Sequence, residues 1–146
     1  MSTSAEAALI AALRTGLGDE HAAVYLLGVL AGRTEAGALD AALAASFAFH
    51  RDARDALLAR LAELGDTTPP GAAAAYDLPG GAAALATAAV VRAAALGIEQ
   101  RATAAYGAQV AATTGEDRVR AIGWLSATAV RQLSFGGSPA ELPGLS

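Results

Sequence analysis

The chain has 146 residues, a normal size for one domain, and 54% of them are hydrophobic, enough for a full core. It has no cysteine, and all ten basic residues are arginine. That excludes disulfides, thiolate metal sites, cysteine nucleophiles, and the P-loop and Schiff-base chemistries that need a lysine.

The net charge is −4 and the arginines are scattered among acids, so no basic stripe marks a nucleic-acid surface. Alanine dominates the apolar fraction, which favours closely approaching helices over bulky layers. The first residues, Met1 to Glu6, carry no basic leader. The most apolar window, residues 81–98, is mostly alanine and holds Arg92, a residue that is costly in lipid. A cytoplasmic protein with no membrane span is expected.

The first helix is predicted over residues 3–31, with Ser4 or Thr3 as cap and Glu6 in the first turn. Ile10, Leu13, Leu17, Glu20, Val24, Leu27 and Ala31 recur at spacings of three and four, one continuous helical stripe. Glu20 lies on that stripe. Gly16 and Gly18 weaken the helix, which suggests either that a neighbouring helix comes close there or that the helix kinks.

After a short break at Gly32-Arg33-Thr34, a second helix is expected over residues 35–64, starting at Thr34 and Glu35. Its stripe is Leu39, Leu43, Ser46, His50, Ala53, Leu57 and Leu64. The short connection implies antiparallel neighbours. Counted back from the loop, Glu20 and His50 fall at one level.

Gly65 stops the helix, and residues 65–81 form the only Pro/Gly-rich stretch inside the chain. Some 16 residues reach about 50 Å when extended, and a 28-residue helix is about 42 Å long. The stretch can therefore cross the whole bundle.

The third helix, residues 82–113, has the stripe Leu85, Ala89, Arg92, Leu96, Glu99, Thr103, Tyr106 and Val110. The fourth, residues 116–133, has Val119, Ile122, Ser126, Ala129 and Leu133 as its core face. The tail should pack back through Leu142 and Leu145. Leu96-Gly97-Ile98-Glu99 echoes Leu17-Gly18-Asp19-Glu20, 79 positions earlier, and in both copies a glycine follows eight residues after the Glu. The second half thus reads as a repeat of the first hairpin.

Two hairpins joined by a bundle-length crossover form an all-α, antiparallel four-helix bundle of ferritin-like architecture. The metal proteins of that architecture take a Glu from each of two helices and a Glu-x-x-His from each of the other two. Here the first helix has Glu20 and the third has Glu99. The second has His50, but Phe47 stands where its Glu would be, and the fourth has neither a His nor an acid beyond its first turn. A metal site could use at most Glu20, His50 and Glu99, too few ligands for two divalent ions. The same residues can instead form a buried polar network. In it Arg54, Arg92, Arg131 and His50 would be available to pair with Glu20 and Glu99, and Tyr25 and Tyr106 would seek hydroxyl partners. Trp124 fits the core or a subunit interface.

The pieces Glu20-His21-Ala22-Ala23-Val24-Tyr25, His50-Arg51-Asp52-Ala53-Arg54-Asp55, Tyr76-Asp77-Leu78-Pro79, Glu99 with Arg101 and Tyr106, and Leu142-Pro143-Gly144-Leu145 resemble, in order and spacing, the actinobacterial ferritin-like domain family of unknown function. The resemblance implies a ferritin-like bundle that forms a homodimer. It implies no reaction, because that family is itself uncharacterised. Two functions are compatible with these residues. One is a bundle with no cofactor, lacking a complete di-iron ligand set and acting through assembly or partner binding. The other is a protein binding a metal or small ligand, with redox chemistry, through Glu20, His50 and Glu99.

Overall fold

The computed structural model describes residues 3–78 and 81–145. Pro79 and Gly80, part of the expected crossover and of the Tyr76–Pro79 motif, lie outside the described residues, as do Met1 and Ser2. Four long helices carry the regular structure: α1 Thr3–Ala31, α2 Ala38–Glu63, α3 Ala88–Ala112 and α4 Gly115–Ser134, with a short 3-10 turn at Ala82–Ala84. Among the described residues there is no strand, and no helix is long and apolar enough to cross a membrane.

α1 buries Leu9, Leu13, Leu17, Glu20, Ala23, Leu27 and Leu30, a face that repeats every three or four residues. α2 starts later than expected. The Thr34 hydroxyl lies 3.1 Å from the Ala31 carbonyl oxygen and 3.2 Å from Asp40 Oδ1, so it closes α1 and does not open α2. At the other end of α2, Gly65 takes φ +79, and its N–H reaches Ala62 O at 3.0 Å while Asp66 N–H reaches Leu61 O at 2.9 Å. This left-handed turn satisfies the last carbonyls of the helix.

The crossover is tied to α1 along its course. Arg14 Nη1 donates to Asp66 (2.7 Å) and to the Thr68 carbonyl (2.9 Å). His21 Nε2 is 3.1 Å from Pro70 O, and the Tyr25 and Tyr76 rings meet at 5.5 Å. The two sets of numbers rise together, so the strap runs parallel to α1 and delivers the chain to the far end. α3 then descends antiparallel to α1, and α4 returns. α3 itself begins at Ala88, six residues later than expected, because the Thr87 side chain accepts the Val90 N–H and sets the start there.

Two apolar layers close the ends of the bundle. One contains Leu27, Leu30, Leu43, Val91, Ala95 and Ile98; the other contains Leu9, Leu13, Leu17, Leu57 and Leu61. Each fully buried leucine contributes about 1.5–3 kcal/mol. Close approach occurs at Gly16, where a Cβ would sit 3.3 Å from Gln109 Nε2 and 3.7 Å from Leu57 Cδ1. It does not occur at Gly18, where a Cβ would meet nothing within 4 Å.

The face of α4 is the main departure from expectation. Val119, Ile122, Ser126 and Leu133 point outward, and the buried positions are Asp117, Ala121 and Thr128. Polar anchors set this rotation. Asp117 accepts from Arg60 Nε at 3.0 Å and Arg60 Nη2 at 3.0 Å, and Thr128 meets Thr103 at 3.1 Å. The third stripe shifts too: Ala89 and Arg92 are exposed, while Val91, Ala95 and Ile98 are buried. The tail does return to the bundle, but through Gly144, whose carbonyl oxygen would be 2.8 Å from a Cβ on Gly107. Leu142 and Leu145 stay exposed.

Candidate functional site

Between the two leucine layers lies a polar plane. α1 supplies Glu20, α2 supplies Ser46 and His50 one turn apart on its buried face, and α3 supplies Glu99 and Tyr106; all five are buried. Each is held at this height by its own helix, and the antiparallel pairing of α1 with α2 and with α3 brings them together.

The hydrogen bonds form one chain. Tyr106 donates its hydroxyl proton to Glu20 Oε1. His50 Nδ1 is 2.7 Å from Glu20 Oε2, and His50 Nε2 is 3.4 Å from Glu99 Oε2. Ser46 donates to Glu99 Oε1. Both ring nitrogens and all four carboxylate oxygens therefore have a partner within the plane. The imidazole can satisfy both carboxylates only as a donor at both nitrogens, which is the protonated ring.

The electrostatics agree. Burial works hardest against a charged His50. The hydrogen bonds and charges of Glu20 and Glu99 together outweigh it and raise the pKa from 6.5 to about 9. The Tyr106 phenol is pushed far above its usual range, by burial first and then by the neighbouring Glu20, so it remains a proton donor. Asp19, at the edge of the plane, is also raised, by burial and then by Glu20.

A second polar layer supports the first. Thr103 donates to the Glu99 carbonyl at 2.7 Å, and Gln132 Nε2 donates to Thr103 at 2.7 Å. Phe49 meets the His50 ring edge-on at 5.1 Å, and Trp124 lies 5.4 Å from the Tyr106 ring. A cavity of about 110 Å³ between α1 and α3 reaches Glu20, with Ala22, Ala23, Ala102 and Ala105 along its walls.

Of the residues singled out in the sequence, Glu20, His50, Glu99 and Tyr106 meet here. The others do not. Arg54 bonds its neighbour Asp55 at 2.7 Å, and Arg92 is exposed. The Arg131 guanidinium lies over the Phe49 ring at 4.5 Å, and Tyr25 meets Tyr76 in a tilted ring contact at the crossover. The expected arginine pairing is corrected for a simple reason: Ser46, Tyr106 and His50 already occupy the carboxylate oxygens. In the sequence Ser46 and Thr103 stand on the helical stripes with no role that marks them out. The signal that could have promoted them is a hydroxyl on a buried face one turn from an ionisable residue, where it must find a partner.

Among the described residues no group of three or more His, Asp or Glu side chains is placed to hold a metal ion. A family model described as a domain of unknown function, DUF4439, matches residues 12–146. The chain belongs to that family. The crystal structure of a conserved hypothetical protein from Mycobacterium tuberculosis is similar to this DUF4439 chain, with a TM-score of 0.78 and 31% identity over 93% of this chain and 98% of that one. No curated protein matches the chain. The family and the relative agree on kinship and carry no reaction.

Proposed function

We propose that this protein is a ferritin-like bundle whose centre is a proton-bridged polar plane without a resident metal, and that it acts through assembly. The topology supports the first half: α1 and α2 pair antiparallel, one strap crosses the bundle, and α3 and α4 pair antiparallel, which is the single-crossover arrangement of ferritin-like folds. The observation that carries the reading is the saturation of His50. A ring that donates from both nitrogens has no lone pair for a metal, and the oxygens of Glu20 and Glu99 are engaged by Ser46, Tyr106 and His50. A di-metal carboxylate centre does not fit these residues.

The test is loading with iron(II) or manganese(II), followed by desalting and elemental analysis. Only trace metal should remain. Stoichiometric metal that survives desalting and disappears in Glu20→Ala would overturn the proposal. A second reading rests on the 110 Å³ cavity: a ligand of a few atoms could reach Glu20 between the alanines of α1 and α3. It predicts that a Glu20 resonance shifts when small amines or alcohols are titrated in.

A further inference from the structure

The outer face of α4 carries four exposed large aliphatic side chains. Val119, Ile122, Val130 and Leu133 are 69%, 46%, 65% and 47% exposed. They fall on one stripe of the helix, opposite the buried Asp117, Ala121 and Thr128. The helix is thus inverted, with polar anchors inside and aliphatic side chains outside.

The stripe is symmetric about Ser126. Gly123 and Ala129 stand three residues to either side, Ile122 and Val130 four, and Val119 and Leu133 seven. A two-fold axis at Ser126 would pack an antiparallel copy of α4 with like on like. Val119 would face Leu133 of the second copy, Ile122 would face Val130, and the small Gly123, Ser126 and Ala129 would let the axes approach. That is the self-complementarity an isologous contact requires.

Charge agrees with this pairing. The stripe itself holds no charged residue. Arg118, exposed beside its N-terminal end, has no ion pair among the described residues. The two-fold brings Arg118 alongside the last turn of the other α4, where the negative end of the helix dipole favours a cation. The stripe runs about 21 Å at 1.5 Å per residue. The exposed Leu142 and Leu145 belong to the tail that packs on the bundle at Gly144, where an added Cβ would sit 2.9 Å from Leu125 Cδ1 of α4.

We propose that α4 is the subunit interface, and that its occupant is a second copy of this chain packed antiparallel about Ser126. This rests on the assembly reading above and names its partner. The two are tested apart: metal uptake probes the polar plane, and the experiment that follows probes only α4.

The absence of cysteine makes a single-thiol test unambiguous. Ser126→Cys should form a disulfide-linked dimer rapidly under mild oxidation, while Asp52→Cys, on the exposed side of α2, should stay monomeric under the same conditions. Sedimentation equilibrium of the unmodified chain should show twice the 14.4 kDa chain mass at tens of micromolar. Val130→Glu should raise the dimer dissociation constant at least about a hundredfold, because it buries two unpaired carboxylates in an apolar contact, with the helical circular dichroism unchanged. A monomer at every concentration, or equal cross-linking of the two cysteine variants, would overturn the proposal.

Discussion

Between pH 6.5 and 9 the protein should lose stability because of one ring. In the unfolded chain His50 releases its proton near pH 6.5. In the fold, Glu20 and Glu99 hold that proton until about pH 9. Below pH 6.5 both states carry it and the stabilisation is fully present. Within the window the native state binds more protons than the unfolded state, so stability falls as pH rises. Above about pH 9 the contribution is gone. At about 1.4 kcal/mol per unit of pKa, the loss across the window is roughly 3 kcal/mol. The composition makes this readable: there is no cysteine or lysine, and His21 is the only other histidine. Urea unfolding followed by circular dichroism at half-unit steps should show the decline, and His50→Gln should remove most of it. A wild-type stability that stays level within about 0.5 kcal/mol over this window would refute the bridging imidazolium.

Three further substitutions, two in the polar plane and one on the surface of α1, are checked by denaturant unfolding. Glu99→Ala strips His50 Nε2 and Ser46 of their acceptor and should cost roughly 3–5 kcal/mol, as removal of one partner from a buried pair does; a cost under 1 kcal/mol would mean that water reaches the plane. Tyr106→Phe leaves one Glu20 oxygen without a donor and should cost roughly 1–3 kcal/mol, with no change in the fold by circular dichroism. Gly18→Ala, in the middle of α1 with open space around it, should stabilise by roughly 0.5–1 kcal/mol, whereas a loss would show that the helix surface there is occupied.

The fold was legible because helical periodicity and turn residues are written locally. The stripes of α1 and α2, the stop at Gly65 and the strap-length linker are each decided within a few residues. The meeting of Glu20 with His50 followed from counting outward from one short loop. What stayed hidden depended on contacts between distant segments. Arg54, Arg92 and Arg131 carry the right charge to serve two acids, but whether they turn inward depends on which hydroxyls reach the acids first. Ser46 and Tyr106 do so. The rotation of α4 was hidden for a similar reason. Aliphatic residues on one stripe read as a core face, and nothing local says that Asp117 will instead be drawn in by Arg60 across 57 positions of sequence.

The strap along α1 has a consequence for how the molecule can be divided. Its middle, residues 71–75, is exposed, so a cut there would leave each piece a complete hairpin. Neither piece would hold a finished proton chain: one keeps Glu20, Ser46 and His50, and the other keeps Glu99 and Tyr106. The plane would then act as a lock and key shared between two fragments. The wrong alignment is a slip of one helical turn, about 5.4 Å, and it would leave an acid facing leucine. The central ions thus specify which half fits which, and at what height.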